Sequence, residues 1–320
     1  MAANGPIQLL TDEGMASHAA RGHPERPKRL DAVVEGVADA ADALAARLER
    51  PAVVPATDAE LERIHPAWYL AALEAGATRG GGWVDADTYV GPGSMVAARL
   101  AAGATLAAAT AAVRGEASVA FAAVRPPGHH ASEERAAGFC LVNNVAIAAA
   151  GLRAVGLAQR IAIVDWDVHH GDGTQAIFDA DPDLCYASTH QSPFYPGTGS
   201  AAQQGSGPAT GTKHNVPLPA GSGDDAFSQA WVVQLLPAVE AFAPEAILVS
   251  AGYDAHRDDP LAMLEVTEDG FGTVAEALGS LARRLGLGGV GLCLEGGYDL
   301  AALRASVAAT VIGLARGQSD

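Results

Sequence analysis

Ile161-Ala162-Ile163-Val164-Asp165-Trp166-Asp167-Val168-His169-His170-Gly171-Asp172-Gly173 is the stretch on which the reading of this chain turns. Its first four residues form a short apolar, β-branched run of the kind that makes a buried strand. The run then breaks into three acids, two histidines and two glycines. Four more runs share its character: Val119–Val124, Leu184–Ala187, Ala246–Ser250 and Val290–Leu294. Alanine-rich helical segments, Leu141–Val155, Asp224–Phe242 and Thr267–Leu285, lie between several of them. This alternation predicts an α/β protein whose parallel sheet is covered by helices on both faces. Three of the other runs also end in polar clusters: Arg125-Pro126-Pro127-Gly128-His129-His130, Ala251-Gly252-Tyr253-Asp254 and Glu295-Gly296-Gly297-Tyr298. Ligand sites in open parallel sheets form beyond the carboxyl ends of the strands, so four clusters far apart in sequence are expected to meet in one cleft.

The residue types in those clusters suit metal-assisted hydrolysis. Side chains at i, i+2 and i+4 of an extended stretch share a face, so Asp165, Asp167 and His169 are expected to point the same way. Asp167 and His169 can reach one metal ion, whose ligand atoms lie about 2.0–2.2 Å away. Asp254 is the best candidate for a third ligand from another strand end. One His and two Asp leave positions open for water and a substrate carbonyl. His129 and His130 supply proton chemistry, as a neutral imidazole can take a proton from water and return it to a leaving amine. Each needs a carboxylate to fix its tautomer, and Asp165 and Asp172 are available. Tyr298 follows two glycines that let the backbone pass close to a ligand, and its phenol can donate to an oxyanion.

Composition sets the outer bounds. The chain has 320 residues, 49% hydrophobic and 18% charged, enough to bury a large core and too apolar for global disorder. No repeat or long linker appears, so residues 1–320 read as one catalytic domain, with Pro193–Gly223 as a long surface excursion. Cys140, Cys185 and Cys293 are far apart with no Cys-x-x-Cys, which fits buried free thiols in a reducing cytoplasm. Met1 to Thr11 lacks a basic n-region, so no secretory leader is expected. Ser94–Val113 is apolar but carries Arg99 and ends on Arg114-Gly115, which suits a buried helix better than a membrane span. A net charge of −17 argues against a nucleic-acid partner and favours encounter with cationic substrates. Oligomeric state is left open.

Taken together, Arg125-Pro-Pro-Gly-His-His130, Asp165-x-Asp167-x-His169-His-Gly-Asp172-Gly, Ser250-Ala-Gly-Tyr-Asp254 and Leu294-Glu-Gly-Gly-Tyr298 resemble the histone deacetylase superfamily. The likeness is to its class II branch and the bacterial histone-deacetylase-like amidohydrolases. Gly22-His-Pro-Glu-Arg-Pro27, Asp85-Ala-Asp-Thr-Tyr89 and Phe194-Tyr-Pro-Gly-Thr-Gly199 extend it to nearly the full chain. The resemblance implies the arginase/deacetylase fold, with a central parallel sheet of about eight strands flanked by helices. It implies a catalytic Zn2+ held by Asp167, His169 and Asp254, and His130 as main acid and base oriented by Asp172. His129 becomes an electrostatic partner oriented by Asp165, and Tyr298 a donor to the carbonyl. Gly138 and Phe139, with Tyr195 opposite, match the walls of a narrow channel, and Asp87 matches a rim residue that grips substrate. Arg29 matches an arginine at an inner cavity. A structural K+ is implied near Asp165, Asp167, His169 and Ser188. The implied substrate is an N-acylated amine, either acyl-lysine or an acylated small amine such as an acetylpolyamine.

Two features depart from the pattern. Tyr195 stands where many members have phenylalanine, and the chain lacks the long tails and extra domains of chromatin deacetylases, so the name of the family does not imply a histone substrate. Two rival readings remain: a two-metal, arginase-like ureohydrolase and a non-catalytic acyl-ligand binder. The first needs a further carboxylate, yet His256 occupies the position where arginase-like enzymes place an aspartate. The second predicts loss of a ligand, a histidine or Tyr298, and all are present. Glu265 is an acid close in sequence that could serve a polyamine at the mouth.

Overall fold

All five apolar runs become neighbours in one sheet. The computed structural model describes residues 5–319; Met1–Asn4, at the start of the stretch read for a leader, and Asp320 lie outside it. The strands, in chain order, are β1 (Ile7–Leu10), β2 (Leu48–Glu49), β3 (Gly82–Trp83), β4 (Tyr89–Val90), β5 (Val119–Ala122), β6 (Ile161–Asp165), β7 (Leu184–Gln191), β8 (Lys213–Leu218), β9 (Ala246–Ala251) and β10 (Val290–Leu294). Eight of them form a sheet in the order β2-β1-β5-β10-β9-β6-β7-β8, and every pairing is parallel. β3 and β4 form a separate antiparallel hairpin.

Helices cover both faces: α1 (Lys28–Leu44), α2 (Asp58–Leu61), α3 (Ala67–Thr78), α4 (Ser94–Val113), α5 (Asn144–Ala154), α6 (Asp172–Phe178), α7 (Asp224–Ser228), α8 (Leu236–Phe242), α9 (Glu268–Arg284) and α10 (Leu300–Ser319). Strand β6 shows why the central runs are apolar throughout. Ile161 and Ile163 pack into one core with Leu152, Phe178 and Leu184, whereas Ala162 and Val164 face the other core with Val249 and Leu292. A strand buried on both faces has no polar side to alternate with. α4 and α10 are long and apolar enough to cross a membrane by composition, but 67% and 56% of their most apolar windows are buried inside the protein. They are core helices, as read for Ser94–Val113. All three cysteines are free and buried.

Two expectations need correction. Pro193–Gly223 is not wholly a surface excursion, because its end forms β8 at the sheet edge. Its sequence, Lys-His-Asn-Val-Pro-Leu, has none of the apolar signature of the central strands. Lys213 is nonetheless buried, its ammonium donating to the Asp181 and Leu184 carbonyls and the Thr212 hydroxyl at 2.7–3.1 Å. Asp224–Phe242 is not one regular helix: between α7 and α8, Gln229–Leu235 is π-helical. Pro237, in the first turn of α8, has no N–H to return to the preceding turn, and its ring crowds that turn's carbonyls.

Candidate active site

Asp167, His169 and Asp254 each offer a ligand atom, and these atoms lie within 4.8 Å of one another. They sit just past the ends of β6 and β9, which are paired so that Asp165 faces Ser250. The expectation of one extended stretch through His169 does not hold. Strand β6 stops at Asp165, and the backbone then bends, with the Asp167 amide donating to Asp165 Oδ1 and the His169 amide to Asp167 Oδ1. Asp165 is not part of that ligand cluster, and its Oδ2 meets His129 and Tyr186 instead. The His169 imidazole Nδ1 lies 3.1 Å from Asp167 Oδ1 and 3.3 Å from Asp254 Oδ2. Asp254 Oδ2 is buried and receives no well-aligned hydrogen bond.

This donor set fits a cation. Asp167 and Asp254 are each only 1% exposed, and a buried carboxylate needs positive charge close by. Burial works against charge on His169, yet the hydrogen bonds and fields of Asp167 and Asp254 carry its pKa up to about 10. A divalent ion among the same three atoms would satisfy both carboxylates and let the ring be neutral. His256, two residues beyond Asp254, turns elsewhere: its Nε2 lies 3.3 Å from Glu268, and its Nδ1 accepts the Asp258 amide.

The tandem histidines lie on the loop after β5. His129 Nδ1 meets Asp165 Oδ2 at 3.1 Å, and His130 Nδ1 meets Asp172 Oδ1 at 2.7 Å. Both rings are nearly buried and lie 4.1 Å apart between centroids. Burial opposes charge on both. At His129 the fields of Asp165 and Asp167 overcome it and raise the pKa well above the ordinary value. At His130 burial and the neighbouring His129 charge prevail, lowering its pKa to about 3 and leaving a neutral imidazole with Nε2 free of Asp172. His170, by contrast, turns out of the cluster to Thr198 and Gln175.

Tyr298 is 7% exposed and follows Gly297, whose φ of +115° belongs to the region that favours glycine. A Cβ on Gly296 would collide with the Asp254 carboxylate. Behind the phenol lies Arg29, its guanidinium carbon 4.9 Å from the ring centroid. Arg29 donates to the Gly297 carbonyl at 2.6 Å and to the Glu295 carbonyl, and pairs with Glu25, which Arg125 also grips. Arg29 is fully buried in this ion cluster and is not part of the channel wall.

A cavity of about 260 Å³ opens over the cluster, with Asp87, His129, His130, Gly138, Phe139, Asp167, His169, Tyr195 and Tyr298 on its wall. Gly138 can carry no side chain, since a Cβ there would strike the His130 ring. Tyr195 stands edge-on to His130 at 5.1 Å, and Phe194 stacks on His169 at 5.3 Å. Asp87 lines the cavity from the connection between β3 and β4, where its carbonyl oxygen is 3.1 Å from His23 Nε2. Glu265 is exposed and off this wall. Ser188 is buried beside Asp165 in register, its Oγ 3.0 Å from His190 Nδ1.

Sequence reasoning passed over several supports. Glu295 accepts the Gly128 and His129 amides at 2.6 and 3.1 Å, Tyr186 donates to Asp165 at 2.9 Å, and Leu261 lines the cavity. Glu295 had a signal, an acid between an apolar run and two glycines. Tyr186, inside an apolar strand, had none.

Comparison with known proteins meets the same architecture. The histone deacetylase domain family matches residues 23–314. A histone deacetylase-like amidohydrolase from Pseudomonas aeruginosa is 40% identical over 303 residues, covering 93% of this chain and 78% of the relative. Histone deacetylase 15 from Arabidopsis thaliana is 40% identical over 309 residues, covering 94% of this chain but 55% of the longer plant protein. The crystal structure of an HDA15 HD domain superposes with a TM-score of 0.87 at 38% identity, covering 97% of this chain and 90% of that one. Such agreement along nearly the full length means that this protein belongs to the histone deacetylase domain family.

Proposed function

We propose that this protein is a zinc-dependent deacylase, hydrolysing the amide of an N-acylated amine to a carboxylate and a free amine. The observation that carries the reading is the convergence of Asp167, His169, both tandem histidines and Tyr298 on the wall of one cavity, with Asp254 completing the ligand cluster beneath it. Asp167, His169 and Asp254 would hold the zinc, a set of one imidazole and two carboxylates that suits an ion with open positions. When bound, zinc would supply Lewis acidity to the amide carbonyl and to water.

The remaining steps belong to the chain. His130, neutral and held at Nδ1 by Asp172, takes a proton at Nε2 from the attacking water. Water oxygen bonds to the carbonyl carbon, the C–N bond breaks, and the same proton passes to the leaving nitrogen. His129, tied to Asp165, acts beside it as an electrostatic partner. The Tyr298 hydroxyl donates to the carbonyl oxygen as negative charge builds there. Gly138, Phe139 and Tyr195 enclose the acyl-amine chain, and Asp87 meets the substrate at the mouth. Arg29 acts from behind Tyr298.

A structural potassium ion beside Asp165, Asp167, His169 and Ser188 is part of this proposal, supported by the in-register pairing of Asp165 with Ser188. So is one catalytic domain over residues 1–320, supported by a sheet whose strands run from Ile7 to Leu294. The buried thiols support a reducing, cytoplasmic setting.

The test is a turnover panel on zinc-loaded protein: acetyl-lysine peptides, longer acyl-lysines and acetylpolyamines, with bound metal counted per chain. Release of amine with one catalytic zinc is expected. Two catalytic metals per chain, or no turnover on any acylated amine with metal bound, would sink the reading.

A further inference from the structure

Tyr298 must be carried over a cluster of carboxylates by the two residues least able to hold a backbone in place. Gly296 passes so near Asp254 that no side chain fits, and Gly297 takes a left-handed φ. Beyond Tyr298 the next fixed element is α10, starting at Leu300. The Gly296 amide donates to Asp167 Oδ2, the Gly296 carbonyl accepts the Tyr253 amide and Arg29 grips the Gly297 carbonyl, so the Tyr298 amide is the next group along the chain to be held.

The side chain in the right place is Asp259, which sequence reasoning did not assign. It is 6% exposed, five residues past Asp254, in Asp258-Asp259-Pro260-Leu261. Its Oδ2 accepts the Tyr298 amide at 2.7 Å and, more weakly, the Asp299 amide at 3.4 Å. Its Oδ1 accepts the amide of Leu261, a cavity-wall residue, at 3.0 Å. One buried carboxylate therefore ties the loop that carries Asp254 to the loop that carries Tyr298. The bond to Tyr298 is not needed to start α10, because Asp299 Oδ1 already accepts the Ala301 and Ala302 amides at 3.0 and 2.9 Å. A buried carboxylate is also a costly way to brace an ordinary loop.

We propose that Asp259 is a positioning residue: by holding the Tyr298 amide it fixes where the Tyr298 hydroxyl stands relative to Asp254 and its partners. The inference rests on the reading of Tyr298 as the donor to the substrate carbonyl. A hydroxyl displaced by about 1 Å from its productive place loses most of its effect, whereas substrate binding in the channel is hardly touched.

A double-mutant cycle tests this on the full, zinc-loaded chain, with Asp259→Ala and Asp259→Asn made singly and in the Tyr298→Phe background. Asp259→Ala should lower kcat at least about tenfold, with KM within about twofold and zinc content unchanged. Asp259→Asn keeps one oxygen for the Tyr298 amide and should recover part of the loss. In the Tyr298→Phe background, Asp259→Ala should cost less than about twofold, because no hydroxyl remains to misplace. The same fold-loss in both backgrounds would overturn the proposal, as it would mean Asp259 acts on stability or on another group. If Asp259→Ala does not fold, Asp259→Asn carries the cycle with the same criterion. A second arm needs no activity: amide hydrogen exchange across Gly296–Leu303 should speed up in either Asp259 variant. Unchanged exchange would overturn the tie itself. Absence of turnover in the parent protein would instead indict the deacylase reading, with the exchange arm still deciding on Asp259.

Discussion

Tyr298 differs from phenylalanine by one oxygen, and that oxygen is the part the proposed chemistry uses. An interaction that strengthens as charge develops lowers the barrier without tightening substrate binding. Loss of one such donor costs about 2.7–4 kcal/mol, or roughly 10²–10³-fold in kcat. Tyr298→Phe keeps the ring, with its contacts to Arg29 and Phe139, so the variant should fold, bind zinc and show that loss in kcat with little change in KM. Near-normal steady-state kcat would make Tyr298 a packing residue. His130→Ala should lower kcat by about 10²–10⁴-fold with zinc retained, and His129→Ala should be milder. The reverse order would mean that the two histidines exchange roles. Residues of this kind were legible because their types are rare together and each follows a strand end. Asp259 was not, since it acts on backbone amides, and no pattern of residue types announces which amide a carboxylate will meet; Glu295 stood out before its two glycines, but its amide partners did not. The stretch from Asp165 to His169 is not extended for a related reason. The Asp165 carboxylate accepts the Asp167 amide and bends the chain that a period-two reading keeps straight.

Strands buried on both faces announced themselves, and edge strands did not. β8 at one rim carries Lys, His, Asn and Pro, and β2 at the other is two residues long, so neither leaves an apolar run to find. Packing between helices is also hidden from sequence until backbones are placed. A Cβ on Gly313 of α10 would run into the backbone carbonyl of Gly272 on α9, whereas one on Gly272 would meet only Ala309 at 3.5 Å. Alanine gains about 0.8–1 kcal/mol of helix propensity at either position. At Gly313 the obstacle is backbone and cannot swing aside, so overpacking of about 1–3 kcal/mol should outweigh that gain. Gly313→Ala is therefore expected to lower Tm and Gly272→Ala to leave it level or slightly higher; equal shifts in calorimetry would refute the packing argument. Glu25 makes a second tie, between the loop before α1, Arg29 of that helix and Arg125 beyond β5. Burial alone would raise its pKa, but Arg125 and then Arg29 outweigh it and hold the carboxyl below its ordinary 4.5. Between the two values the unfolded chain binds more protons, so this stabilisation is complete above pH 4.5 and is lost as pH falls through the depressed folded value. Glu25→Gln should be less stable at neutral pH and lose less further stability on acidification below about pH 5 than the parent. Parallel urea-midpoint curves for the two proteins would remove Glu25 from the acid response.

Across the entire chain, 37 acids against 20 bases leave a net charge of −17. Several acids are committed inside, among them Asp165, Asp167, Asp254, Asp259 and Glu295, and Asp87 lines the cavity. Fields of this kind act on substrates before contact, raising association rates by about 10–10³-fold for a favourable charge, and salt screens them within about 10 Å at 0.1 M. Chemistry at buried residues lies behind walls that salt screens much less. The two stages should therefore separate experimentally. Take two acylated amines with the same acyl group, one carrying further positive charges, as an acetylpolyamine or lysine-rich peptide does, and one otherwise neutral. Raising NaCl from about 20 to 200 mM should reduce kcat/KM for the cationic substrate at least about threefold, leave it nearly flat for the neutral one, and leave kcat unchanged for both. A fall in kcat itself would place the salt effect on the chemical step. Identical responses of kcat/KM would mean that the negative charge serves solubility alone and does nothing to select the amine. A response confined to the cationic substrate would tie the acidity of the chain to the kind of amine it receives, because the charges beside the acyl group are then what the protein senses first.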